Sequence, residues 1–232
     1  MAVSQRGIKK EILALLGQAE LEELFTALAG YPPQKLLNPL FSGICSGSEK
    51  TKWNAVSAMG ATVARLSDQD MEAGRIVMRR FMWSLNDESG GIGWGTPEAM
   101  AECLACHGGL AQEYTKILVS FMREEGFYLE LPPLQRGLMW GMGRLAQVRP
   151  ELLRAWQAPQ HLLPYLDSAD PIVRALSARA LGLLGVREAG PGIAKLLQET
   201  FSFALYTDGC LIQVSTPSLA QEALASLAPV LA

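Results

Sequence analysis

The chain has 232 residues, 49% apolar and 19% charged, with a formal net charge of −3. That balance excludes a protein that binds nucleic acid over its whole surface, because such proteins carry a basic footprint, and it leaves room only for a local basic patch. No run of 18 apolar residues occurs, which excludes a helical membrane span.

The N-terminal stretch MAVSQRGIKKEILALLG lacks a long apolar segment, so no export signal is expected. Four cysteines, Cys45, Cys103, Cys106 and Cys210, in a chain of this size then read as reduced thiols in a cytoplasmic protein.

In chain order, Ser4 to Leu16 predicts an amphipathic helix with Ile8, Ile12, Leu15 and Leu16 on one side. A second short helix runs from Glu20 to Ala29 and is broken at Tyr31-Pro32-Pro33. These two are expected to cap an open end over residues 1–31. Gln34 to Cys45 and Glu49 to Leu66 form the first helix pair. Asp68 to Leu85 opens the second, with Asp68 as its N-cap. A glycine-loaded corner, Asn86 to Gly93, passes into a helix start at Thr96-Pro97-Glu98 and a helix to Cys106. Gln112 to Glu124 with Pro133 to Ala146, and Gln160 to Leu166 with Pro171 to Leu184, supply two more pairs. Glu188 to Glu199 begins a fifth. Residues 201–230 change character. Phe201 to Tyr206, then Thr207-Asp208-Gly209, then Cys210 to Val214 read as a β-hairpin, because Asp-Gly between β-formers favours a tight turn. A closing helix opens at Thr216-Pro217, with Leu219, Ala223, Leu224 and Leu227 as its apolar stripe. No linker long enough to split the chain is visible.

A repeat underlies the helices. Its clearest unit runs from Asp170 to Gly185 and centres on a small–large–small triplet, Ala180-Leu181-Gly182. The triplet recurs as Gly141-Met142-Gly143, Ala99-Met100-Ala101 and Ala58-Met59-Gly60, so that the central residues are 39, 42 and 41 apart. Small residues let neighbouring helices approach, and the large one fills the gap between layers. A two-helix unit has an apolar face that it cannot bury alone, so units stack.

Aligning the triplets identifies positions at i, i+4 spacing on the other side of each inner helix. They are Trp53 with Ser57 and Ala61, Trp94 with Glu98 and Glu102, Arg136 with Trp140 and Arg144, and Ala175 with Arg179 and Leu183. Two readings stand side by side. In one, Trp53, Trp94, Glu98, Glu102, Arg136, Trp140, Arg144 and Arg179 line a concave groove that binds a protein or peptide partner, since tryptophan and arginine dominate binding surfaces. In the other, the indoles pack and the charges form a structural ladder. On the first reading, Trp140→Ala with Arg144→Glu abolishes binding and leaves unfolding nearly unchanged. Asn86, Asp87 and Glu88 lie on the rim, as a cation-binding corner or as simple caps. Cys103 to His107 fits a CxxCH haem-attachment pattern, but that chemistry needs an exported chain. Two histidines, His107 and His161, are too few for a zinc site, so no metal or cofactor is expected.

The period of about 40 residues and the Asp170–Gly185 unit resemble HEAT repeats of bacterial proteins, including the phycobilisome-lyase type, over roughly residues 34–199. The resemblance implies an all-α, HEAT/armadillo-like α-solenoid, a right-handed superhelix with a small hairpin near its C-terminus. It most often implies a non-enzymatic scaffold or adaptor. Two further expectations follow from related families: a tetrapyrrole lyase or chaperone, and a HEAT-like alkylpurine DNA glycosylase in which Trp94, Trp140 and Glu98 imitate the base-binding set. The acidic balance counts against the glycosylase, because duplex binding needs several phosphate contacts. The di-iron HEAT-repeat hydroxylases are set aside because the chain has no His-Glu dipeptide.

Overall fold

The computed structural model describes residues 5–86 and 93–228. The chain forms two compact units, Met1–Tyr114 and Thr115–Ala232. Among the described residues no helix is long and apolar enough to cross a membrane.

The first unit begins with α1 (Gln5–Gln18), α2 (Leu21–Ala29), α3 (Pro33–Ile44) and α4 (Glu49–Gln69). Ile8, Ile12 and Leu16 of α1 are buried, as the spacing predicts, and α1 packs on both α3 and α4. Next come α5 (Met71–Leu85) and α6 (Thr96–Cys106), both packed on α4. Leu36, Leu40, Met59, Met78, Phe81 and Met100 form the fully buried centre. The cap of α5 is Asp70, not Asp68. The Asp70 backbone is extended and its carboxylate accepts from the Glu72 and Ala73 amides at 2.9 and 3.3 Å, whereas Asp68 still lies inside α4. A cap must sit just before the first free amides, and α4 runs one turn further than its apolar pattern suggests.

Helix α7 (Gly108–Ser120) leads into the second unit. There α8 (Pro132–Val148) is followed by α9 (Pro150–Ala155) and α10 (Ala158–Leu162). Helix α9 is not predicted from the sequence, since six residues are too few to show a 3.6-residue period. A 3₁₀ turn over Leu163–Asp167 precedes α11 (Pro171–Leu183), and 3₁₀ turns flank the short α12 (Gly190–Lys195). The carboxylate of Asp170 caps α11 through the Ile172 and Val173 amides. The hairpin joins β1 (Ser202–Thr207) to β2 (Cys210–Ser215), in register from Ser202 opposite Ser215 to Thr207 opposite Cys210. Asp208 and Gly209 turn it with φ of 50° and 79°, the paired positive values that a two-residue hairpin turn demands. Helix α13 (Thr216–Leu227) closes the chain behind a Ser215/Ser218 capping box, and it packs on α11 with Leu219 and Ala223 buried.

The triplets do the work assigned to them. Met59, Met100, Met142 and Leu181 are fully buried. A Cβ on Gly182 would stand 2.6 Å from Ala223 Cα, and one on Gly60 2.6 Å from Glu102 Cγ. Those two helix approaches exist only because the residue is glycine.

Candidate functional site

In the first unit the aligned positions fall on α4 and around the start of α6. Trp53 is buried, and its indole N–H donates to Glu49 Oε2 at 2.9 Å. The Lys52 ammonium lies 4.8 Å from the Trp53 ring centroid and 2.7 Å from Glu98 Oε1. The Glu98 side chain is only 4% exposed, and its Oε2 is buried without a hydrogen bond. Glu102 is also buried, and Cys106 Sγ donates to its Oε1 at 3.5 Å. Trp94 alone of this unit's aligned aromatics is open to solvent, at 39%. Its carbonyl accepts from the Cys45 thiol, a group whose pKa burial raises.

In the second unit the positions fall on α8 and α11. Trp140 is buried beneath the hairpin. Its indole N–H donates to the Tyr206 carbonyl at 2.7 Å, and the two rings lie 6.4 Å apart. Arg136 is exposed and donates through Nε to Asp170 Oδ2 at 2.7 Å, the carboxylate that also caps α11. Arg144 and Arg179 are half-buried. The Arg179 guanidinium lies over Gly143, where a Cβ would meet its Nη1 at 2.8 Å. It makes no hydrogen bond or ion pair among the described residues. Burial pulls its pKa down, the Glu222 and Asp208 carboxylates pull it up, and Arg144 pushes it down again.

Of the three aligned tryptophans, Trp94 is therefore open to solvent, whereas Trp53 and Trp140 are covered. Both buried indoles find partners through their N–H groups, as buried tryptophans do. Because Trp140 is buried, a loss of stability is expected from Trp140→Ala in place of silence in unfolding. Asn86 ends α5, its amide donating to the Met82 and Trp83 carbonyls at 3.2 Å, while Asp87 and Glu88 lie outside the described residues. Sequence alignment missed Trp83, which is 81% exposed on α5, because only inner-helix positions were carried across the repeats.

Also missed was a cavity of about 500 Å³ in the second unit, lined by Tyr128, Gln135, His161 and Tyr165 among others. The Gln135 amide donates to Tyr128 Oη and to the Leu129 carbonyl, and Tyr165 Oη donates to the Met122 carbonyl at 3.3 Å. Burial, helped by Tyr128, pushes the Tyr165 phenol above its ordinary range. Burial and then Arg123 hold the His161 pKa down. These residues gather from the loop before α8, from α8 itself, and from α10 with the 3₁₀ turn after it, so no spacing in the sequence announces them. The CxxCH stretch has Cys103 fully buried, its thiol pushed well up by burial, and His107 Nδ1 accepting from the Leu110 amide at the start of α7. Among the described residues no group of three His, Cys, Asp or Glu side chains is placed to hold a metal ion.

No protein-family model matches the chain, and no curated protein is similar to it in sequence. Solved structures are similar in fold. The designed armadillo repeat protein YIII(Dq)4CqI superposes with a TM-score of 0.52 at 19% identity, covering 94% of this chain and 99% of that one. A computationally designed armadillo repeat protein for modular peptide recognition gives 0.55 at 18%, covering 97% and 93%. The designed protein YIII(Dq.V1)4CPAF, solved in complex with the peptide (KR)4, gives 0.54 at 18%, covering 94% and 98%. The fold is thus an armadillo/HEAT-like helical repeat with a two-stranded antiparallel sheet near the C-terminus.

Proposed function

With that helical-repeat fold as premise, we propose that the chain is a non-catalytic scaffold or adaptor that holds a protein or peptide partner. Repeat solenoids bind along surfaces built by successive inner helices. The observation that carries the reading is Arg179. Its guanidinium is half-buried, is close enough to Arg144 to feel its charge, and lacks any bonded carboxylate among the described residues. Glu222 and Asp208 act on it from a distance, so its N–H groups have no bonded carboxylate among the described residues, and guanidinium forks match carboxylates two bonds at a time. The partner that fits this face of α8 and α11 offers an acidic side chain or a C-terminal carboxylate. The designed relatives named for peptide recognition, or solved with one, support the fold as a peptide carrier.

The test is affinity capture from native cell extract with wild type and Arg179→Gln, quantified by mass spectrometry, with thermal unfolding in parallel. Arg179→Gln is expected to lose a defined set of bound proteins while its melting temperature stays put. Identical sets from both proteins overturn the reading. The finer phycobilisome-lyase likeness has no comparable observation behind it. Nor has the glycosylase reading, since Glu98 is closed in and bound to Lys52.

A further inference from the structure

The first unit contains ten lysines and arginines. Five of them are held by carboxylates or backbone carbonyls of the fold. Lys50 pairs with Glu20, Lys52 with Glu98, Arg75 with Glu113, and Arg79 with Glu72, while Arg65 donates to the Ala29 and Tyr31 carbonyls. The other five are Arg6, Lys9, Lys10, Lys35 and Arg80, and none has an ion pair among the described residues. These five are not scattered. Arg6, Lys9, Lys35 and Arg80 line one cavity of about 580 Å³ between α1, α3 and α5. Arg6 and Lys9 also line the adjoining hollow of about 540 Å³, together with Lys10. Among the described residues no carboxylate lines either one. Glu11, the acidic residue of α1, accepts instead from the Tyr31 hydroxyl at 2.7 Å.

The basin is also partly pre-shaped. The Arg80 guanidinium lies 3.7 Å from the Phe41 ring centroid, and Nη1 donates to Asn38 Oδ1 at 2.9 Å. Phe41 is in turn seated on buried Phe81, with centroids 5.0 Å apart. One edge of the fork is thereby fixed and its remaining N–H groups are left for a ligand. Asn38 and Ser42 add neutral polar groups to the wall. Lys35 stands in the first turn of α3, where the helix dipole adds positive potential. Burial lowers the pKa of Arg80, as expected of a cation without counter-charge.

We infer that this basin is a binding site for a small molecule carrying two or more phosphate groups. Its volume lies in the small-molecule range. Four cations around one hollow, with Lys10 in the adjoining one, suit the dense charge of a polyphosphate better than carboxylates strung along a peptide. Lysines meet phosphate as point charges and Arg80 as a planar fork. The site is independent of the partner face on α8 and α11 and stands or falls separately.

The probes are inorganic tripolyphosphate, orthophosphate and a hexa-aspartate peptide, titrated calorimetrically into the full chain at about 100 mM salt, where surface charges are screened beyond about 10 Å. Tripolyphosphate is expected to bind at one site and to raise the melting temperature by mass action. Orthophosphate is expected to bind roughly tenfold or more weakly, a difference of about 1.4 kcal/mol. The variant K9Q/K35Q removes two exposed cations whose ammonium groups bond to nothing among the described residues, so it is expected to melt no lower than wild type and to lose affinity for tripolyphosphate roughly tenfold. Three results overturn the inference: no saturable tripolyphosphate binding, equal affinity in K9Q/K35Q, or hexa-aspartate binding at least as tightly as tripolyphosphate.

Discussion

Trp140 shows what an indole does in this fold. It lies under the hairpin with its N–H on the Tyr206 carbonyl, so it belongs to the packing of the second unit. Trp140→Ala is expected to cost about 3–5 kcal/mol, the range for emptying a large aromatic site, read as a lowered urea midpoint. Trp140→Phe keeps most of the volume and loses the donor, so about 1–3 kcal/mol is expected. A Trp140→Ala midpoint within error of wild type would return that residue to the binding surface. The Lys52–Glu98 pair behaves differently because one partner is deeply buried. Lys52→Ala strands a carboxylate and is expected to cost about 3 kcal/mol, while adding Glu98→Leu recovers most of that loss. If the double variant is no more stable than Lys52→Ala, the pair is not what holds Glu98 in place.

At the scale of elements, the small residues of the triplets set helix spacing. Gly182 lets α11 approach α13, where a Cβ would meet the Ala223 backbone, whereas nothing stands within 4 Å of a Cβ on Gly190. Gly182→Ala is expected to destabilise by about 1–3 kcal/mol through overpacking. Gly190→Ala, at a helix start with φ of −50°, is expected to be neutral or stabilising by about 0.5 kcal/mol. Comparable urea midpoints for the two variants would remove the close approach as the reason for the glycine. Element boundaries follow the same logic of local chemistry. The start of α11 at Pro171 and the Asp208-Gly209 turn between β-formers were legible, because one or two residues supply the whole signal. The end of α4 was not, because Asp68 and Asp70 offer the same carboxylate and only the backbone angles distinguish them.

At the scale of the whole molecule, the net charge of −3 hides an uneven distribution. The paired cations of the first unit cancel locally, and the unpaired ones converge on one basin. Both binding tests therefore read separate faces, Arg179 in one unit and Lys9 with Lys35 in the other, and loss at one is expected to leave the other intact. The sequence by itself determined the helical-repeat class, the hairpin and the helix-packing triplets. Those depend on periodicity, turn chemistry and side-chain size, which are local properties repeated along the chain. Only the tertiary structure decided which tryptophans are covered, which charges are paired, and which cations from α1, α3 and α5 share one hollow. Burial and pairing depend on neighbours distant in sequence, and the same i, i+4 row serves packing in one layer and solvent in the next.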